Sequence, residues 1–155
     1  DIEESTQLVP GIDGQKMSKS YNNTIPIFDS EKKIRKQIMR IVTDPTEIDD
    51  PKDKDTPLFQ LYCLFLDQAG QKDLADRYDG KGLRYGDVKQ ELFEKVMDHF
   101  GSFREKREQL VSHPKQVYEI LDSGAKKAQK VADEVLDRVR SVSGINYRTW
   151  HIESN

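Results

Sequence analysis

An all-α fold, a helical bundle preceded by an irregular loop segment, is what this sequence predicts. Beyond residue 29, apolar residues recur at steps of three and four, and hydroxyl, carboxylate and proline residues stand where helices begin. No stretch alternates apolar and polar residues as a half-buried strand would. The 155 residues suffice for one ordinary domain, or for a small lobe with a flexible lead segment, and for a modest core. The expected organisation is a loop segment at 1–28, a helical region at 29–144 and a tail at 145–155.

Through residue 28 there is no sustained period, and Pro10, Gly11, Gly14 and Pro26 interrupt any regular element. Asp29 and Ser30 are good helix N-caps and Glu31 suits a first turn. Ile34, Ile38, Ile41 and Val42 then fall on one face of a helix that Pro45 closes. The proline-punctuated acidic stretch "DPTEIDDPKDKDT", residues 44–56, has little to bury and reads as a surface connector.

Thr56-Pro57 begins the next helix as a cap followed by a first-turn proline. The "LFQLYCLFLDQAG" after it is apolar on most sides, as a central helix stopped at Gly70 would be. A short helix is expected over 72–78, and three glycines turn the chain in "DGKGLRYGD". Asp87 with Gln90 resembles a capping box; Val88, Leu92, Val96 and Phe100 mark the buried stripe behind it, and a further helical turn is expected over 103–111. After Pro114, Leu121, Ala125, Ala128, Ala132, Val135, Val139 and Val142 form a heptad seam of mostly small side chains, expected to pack within the chain's own bundle. Lys130, Glu134 and Arg138 are spaced as successive i,i+4 partners on that longest helix, and Gly144 ends it.

Composition excludes several functions. With 25 basic and 28 acidic residues the formal charge is −3, so no global cationic field draws the chain to polyanions, and any polyanion site must be local. A single cysteine, Cys63, excludes an internal disulfide; inside "LYCLFL" it reads as a small core residue. No apolar run is long enough to span a bilayer and the first residues are acidic, so no membrane is expected and the cytoplasm is the default compartment. His99, His113 and His151 share no metal-ligand spacing, and the aspartates at 49–50, 53 and 55 lack the spacing of a calcium loop, so no metal site is indicated. His113, before Pro114, reads as a residue near a helix cap.

The sharpest local feature is Lys16-Met17-Ser18-Lys19-Ser20, within "PGIDGQKMSKSYNNTIPIF" at residues 10–28. Gly14 and the Ser and Asn residues keep the segment flexible, while two ammonium groups and two hydroxyls can converge on one anion. Such a loop suits a polyphosphate: charge building on a departing pyrophosphate is what mobile lysines neutralise once the nucleotide is in place. A solvated lysine-serine loop is the plain alternative, although from ordinary residue frequencies this pentapeptide occurs by chance roughly once in ten thousand chains of this length.

"KMSKS" resembles the signature loop of class I aminoacyl-tRNA synthetases, and the longer stretch is similar to tryptophanyl-tRNA synthetases of the bacterial type. The likeness continues through "PLFQLYCLFLD", "GLRYGDVKQELFEKV" and "GAKKAQKVADEVLDRVR" to about Gly144, whereas "INYRTWHIESN" matches nothing. The resemblance implies the C-terminal part of an ATP-dependent ligase that activates tryptophan to its adenylate, releases pyrophosphate and passes the aminoacyl group to tRNA(Trp). It implies that Lys16 and Lys19 bind the β- and γ-phosphates and stabilise the transition state, with Ser18 and Ser20 as hydrogen-bond donors. Met17 would hold the loop near the adenine, Val9 would line the adenine pocket, and Asp13 and Gly14 would shape the turn that presents the lysines. Also implied are Mg2+ accompanying ATP, a homodimeric parent, and a loop that is poorly ordered without nucleotide.

The family's nucleotide-binding fold, its His-x-Gly-His-type motif and its tryptophan pocket lie upstream of this loop, so these 155 residues alone are expected not to activate tryptophan. Two other readings remain: a stand-alone, non-catalytic helical RNA-binding module that keeps the loop as a relic, or a helical scaffold built on the heptad seam. Lys32, Lys33, Lys36 and Arg40 form a basic helix face that could meet RNA phosphates or simply be solvated. Further basic-aromatic surface lies around Arg84-Tyr85 and over 104–107, and no tRNA-contacting residue is selected.

Overall fold

The structure, a computed structural model, describes residues 8–145. Five helices follow one another: α1 (Glu31–Met39), α2 (Pro57–Cys63), α3 (Gln68–Asp79), α4 (Tyr85–Ser112) and α5 (Pro114–Ser143). Among the described residues there is no strand, and extended pairing is limited to an isolated antiparallel bridge between Pro10 and Lys16. The chain divides into two compact units, Asp1–Arg107 and Glu108–Asn155. Apart from Ile145, the tail at 145–155, with His151, lies outside the described residues.

The core of the first unit is assembled from one stripe of each of its helices. Ile34 and Ile38 of α1, Leu58, Leu61 and Tyr62 of α2, Leu74 and Tyr78 of α3, and Val88, Leu92 and Val96 of α4 are buried together, with Ile12, Ile41 and Leu83 contributed by loops. Ile34, Ile38 and Ile41 follow the expected face, but α1 ends at Met39 and Val42 turns outward. The Val42 amide instead donates to the Ile12 carbonyl at 2.8 Å, joining the end of α1 to the lysine loop. Lys89 of α4 donates to the Met39 carbonyl at 3.3 Å and satisfies one of the orphan acceptors at that helix end.

The expected central helix divides in two. α2 stops at Cys63, the chain tightens through bonds from the Phe65 and Leu66 amides to the carbonyls of Tyr62 and Cys63, and Asp67 opens α3 by accepting from the Gly70 amide at 2.8 Å. Gly70 is therefore inside a helix, not the end of one, because an aspartate cap three residues earlier overrides it. Gln71 donates to the carbonyls of Cys63 and Leu66, covering the end of α2. The helix expected to begin at residue 72 is the later part of α3.

Asp87 and Gln90 make no capping box. α4 already begins at Tyr85, and Gln90 donates to Glu94 on the next turn. The separate turn expected over 103–111 is continuous with α4, since nothing in that stretch breaks the ladder. The acidic connector is mostly exposed, yet it buries Lys52, whose ammonium donates to the carbonyls of Thr46 and Glu47 and lies 5.6 Å from the Tyr85 ring centre. The Lys52 amide reaches the Tyr78 carbonyl at 2.7 Å, so the connector is laced onto α3.

In the second unit α5 runs to the left-handed cap at Gly144, φ 71°. No residue of α5 is buried, and Leu121, Val139 and Val142 stay largely exposed, which corrects the expectation that the seam packs inside its own bundle. Physically, the second unit holds, among the described residues, α5 and the end of α4, too few layers to enclose a seam. The observed i,i+4 ion pairs on α5 are Lys115–Glu119 and Asp122–Lys126.

Three helices of the first unit meet at Glu91. Arg77 holds it through two parallel bonds of 2.8 Å, and the Tyr62 hydroxyl donates to it at 3.1 Å. Chiefly the Arg77 bonds keep the Glu91 carboxyl below its ordinary value of 4.5, and burial pushes Tyr62 up to about 12, so it remains a donor. A depressed carboxylate contributes stability above its unfolded value and loses it as pH falls through the lower folded value. Thermal melting is therefore expected to fall as pH drops below about 4.5 in the wild-type chain. Glu91→Gln is expected to melt lower at neutral pH and to decline less steeply in acid.

Candidate functional site

The lysine loop is a small hairpin with a twisted exit. The Gly11 amide donates to the Gln15 carbonyl at 2.6 Å and the Met17 amide to the Val9 carbonyl at 2.9 Å, which flank the Pro10–Lys16 bridge. Its tip is the Gly-Ile-Asp-Gly turn, with a 3.1 Å bond from the Gly14 amide to the Gly11 carbonyl. Gly14 sits at φ +84°, a conformation L side chains rarely adopt. Asp13 accepts from the Gln15 amide at 3.1 Å. Beyond the hairpin, the amides of Tyr21 and Asn22 return to the carbonyls of Ser18 and Lys19, and Asn22 itself adopts a left-handed φ of 54°.

Asn23 joins these pieces. Its side chain is 2% exposed, donates to Asp13 Oδ1 at 2.8 Å and to the Lys16 carbonyl at 3.1 Å, and accepts from the Ser18 amide at 2.8 Å. Its carbonyl accepts from Ile12 at 3.0 Å. Gly11 makes room for it: a Cβ there would stand 2.2 Å from Asn23 Nδ2. The Asn23 bond is the main reason the Asp13 carboxyl lies below its usual range. The loop is thus tied by side-chain and main-chain hydrogen bonds on both sides of Met17.

The sequence-predicted site residues fall into three environments. Lys16 and Lys19 are exposed, and among the described residues neither ammonium makes an ion pair or hydrogen bond. Ser18 and Ser20 bond each other through their hydroxyls at 2.7 Å, which leaves Oγ lone pairs and one hydroxyl proton for a ligand. Met17 is half-buried against the core, while Val9 is exposed and takes part through its carbonyl. Lys19 and Met17 also border an open groove of about 630 Å³, walled by residues 24–28 and reached by Arg107.

The other basic surfaces are more committed than their sequence suggests. Lys33 pairs with Asp29 at 3.0 Å and Arg40 with Gln37 at 3.0 Å, leaving Lys32 and Lys36 as solvated cations of that face. Tyr85 donates to Asp44 at 2.9 Å and is half-buried. Arg104 donates from Nη1 to the carbonyls of Ile27 at 2.6 Å and Asp29 at 2.8 Å, so it fastens the loop's exit to α4. His113 occupies the N-cap position of α5, its ring against the Gln109 carbonyl. Burial raises the Cys63 thiol, as expected of a core residue. Among the described residues no group of three or more His, Cys, Asp or Glu could hold a metal ion, and no helix is long and apolar enough to cross a membrane.

Residues 4–101 match the family model described as tRNA synthetases class I (W and Y). The chain belongs to that family. Among similar proteins are the tryptophan–tRNA ligase of Rhodopirellula baltica, 51% identical over 88% of this chain and 43% of that protein, and the tryptophan–tRNA ligase of Fusobacterium nucleatum, 40% identical over 93% and 44%. The crystal structure of tryptophanyl-tRNA synthetase from Campylobacter jejuni complexed with ADP and tryptophan superposes with a TM-score of 0.86 at 46% identity, over 93% of this chain and 46% of that one. The chain thus spans less than half the length of the relatives it matches, and the part matched is their C-terminal portion.

Within this synthetase family member, sequence reasoning missed Asn23 and, having offered Arg104 as basic surface, missed its bonds to the loop's exit. Arg104→Ala is expected to leave the Ile27 and Asp29 carbonyls short of a charged donor and to cost about 1–3 kcal/mol. Urea unfolding of the chain measures this.

Proposed function

We propose that this chain supplies the phosphate-gripping loop and the helical tRNA-binding region of a tryptophan–tRNA ligase. In this reading a tryptophan carboxylate oxygen attacks the α-phosphorus of ATP, the bond to the β-phosphate bridge breaks, and pyrophosphate leaves with the electron pair. The tryptophanyl group then passes from the adenylate to tRNA(Trp), releasing AMP. Lys16 and Lys19 bind the β- and γ-phosphates and take up the charge that develops on the leaving group. Ser18 and Ser20 donate hydrogen bonds once the bond between their hydroxyls opens, Met17 holds the loop beside the adenine and Val9 lines its pocket. Mg2+ accompanies ATP as part of the substrate.

The observation that carries this reading is the pair of exposed ammonium groups, without an ion-pair partner among the described residues, on a hydrogen-bonded hairpin of a class I synthetase. Unpaired lysines are available to a polyanion without first breaking a salt bridge. Residues 1–28 serve as the loop and the end of the catalytic domain, 29–144 as the helical region of the tRNA anticodon-binding type, and 145–155 as a tail. The working enzyme is a cytoplasmic homodimer, and tryptophan activation needs the half of the relatives that this chain does not span.

In the ligase that contains this chain, Lys19→Ala is expected to lower tryptophan-dependent pyrophosphate exchange by about 10²–10³-fold. Tryptophan affinity, measured by calorimetry, should hardly change. Exchange at the wild-type rate would remove Lys19 from the site.

A further inference from the structure

We infer that Asn23 is the positioning residue of the lysine loop, setting where Lys16 and Lys19 stand before any nucleotide arrives. The inference rests on the proposed phosphate-binding role of that loop and adds to it the group that fixes the geometry. Lys16 and Lys19 have long, rotatable side chains, so their reach toward a phosphate depends on where their main chain is held. Asn23 holds that main chain at two points. Its Nδ2 donates to the carbonyl of Lys16 and its Oδ1 accepts from the amide of Ser18, so one amide group spans Met17 and fixes the main chain from Lys16 to Ser18, the residue before Lys19.

A second Nδ2 bond, to Asp13 Oδ1, ties that interval to the turn, and the backbone bond from Ile12 ties it to the core residue that also receives Val42. The three side-chain bonds and the one to the main-chain carbonyl are made by a residue that is 2% exposed. An amide is the group this position needs. A carboxylate would set lone pairs against Asp13 and the Lys16 carbonyl, and a hydroxyl cannot offer two donors with an opposed acceptor. The lack of a side chain on Gly11 is part of the same device, since any Cβ there would collide with Asn23. No substrate atom need touch Asn23; it acts through the lysines.

The test uses the ligase that contains this chain and compares wild type, Asn23→Ala, Lys19→Ala and the double variant in tryptophan-dependent pyrophosphate exchange, with a melting curve for each. Misplacing a catalytic group by about 1 Å costs up to about 10²-fold. Asn23→Ala is therefore expected to lower kcat at least about tenfold and raise the KM for ATP while leaving the KM for tryptophan unchanged. Because Asn23 acts through the lysines, the double variant should lose less than the product of the two single losses.

If Asn23→Ala does not fold, Gly11→Ala displaces Asn23 from the other side and should give the same split between ATP and tryptophan. Multiplicative losses in the double variant, or wild-type kcat and ATP KM in Asn23→Ala beside an impaired Lys19→Ala, would overturn this inference alone. A wild-type Lys19→Ala would instead overturn the functional reading beneath it.

Discussion

The hydrogen bonds of the buried Asn23 amide are the constraint on which the loop depends. An irregular segment of this length would otherwise sample many conformations, since each ordered backbone residue costs about 1–2 kcal/mol of conformational entropy. One side chain that satisfies the Asp13 carboxylate, the Lys16 carbonyl and the Ser18 amide offsets part of that cost beside the two exposed lysines. The same satisfaction makes the site sensitive, because a buried amide left without partners is costly. The cradle and the side chain require each other: Gly11 admits Asn23, and Asn23 holds the hairpin that Gly11 begins.

The helices turn this local arrangement into a mounted one. Ile12 is buried in the core shared with α1, α2, α3 and α4, and its carbonyl receives the amide of Val42 at the end of α1. Met17 packs against the same core from the middle of the lysine pair. Arg104 grips the carbonyls where the loop leaves for α1, and α4, which bears it, is anchored at its other end by Val88, Leu92 and Val96 and by the contact between Arg77 and Glu91. The loop's two ends are thus fastened to the first unit, and the exposed ammonium groups lie between them.

Much of this was legible from residue order. Helical periodicity placed Ile34, Ile38, Leu92 and Val96 in the core, because a stripe at that spacing must be buried somewhere. Pro114 and Gly144 marked the ends of α5 because each acts through its own backbone geometry. The errors came where a local signal met a stronger neighbour. Gly70 looked like a stop, but the Asp67 carboxylate captured its amide and began a helix around it. Val42 kept to the helical period after the helix had ended. Lys52 looked like part of a solvated acidic loop, yet two carbonyls and an aromatic face make a buried site for it. Asn23 was hidden for a different reason: an asparagine among Ser and Asn residues reads as turn chemistry, and its burial follows from contacts across a hairpin that no spacing records. Arg104 was hidden by distance, its partners lying 75 and 77 residues away.

A structure of the proposed tryptophan–tRNA ligase, bound to tryptophan and a non-hydrolysable ATP analogue, tests the central claim most directly. The expected result places the ammonium groups of Lys16 and Lys19 within hydrogen-bond distance of β- or γ-phosphate oxygens, with the three Asn23 side-chain bonds still in place. A triphosphate bound with both lysines turned to solvent, or held by a loop that has released Asn23, would contradict it.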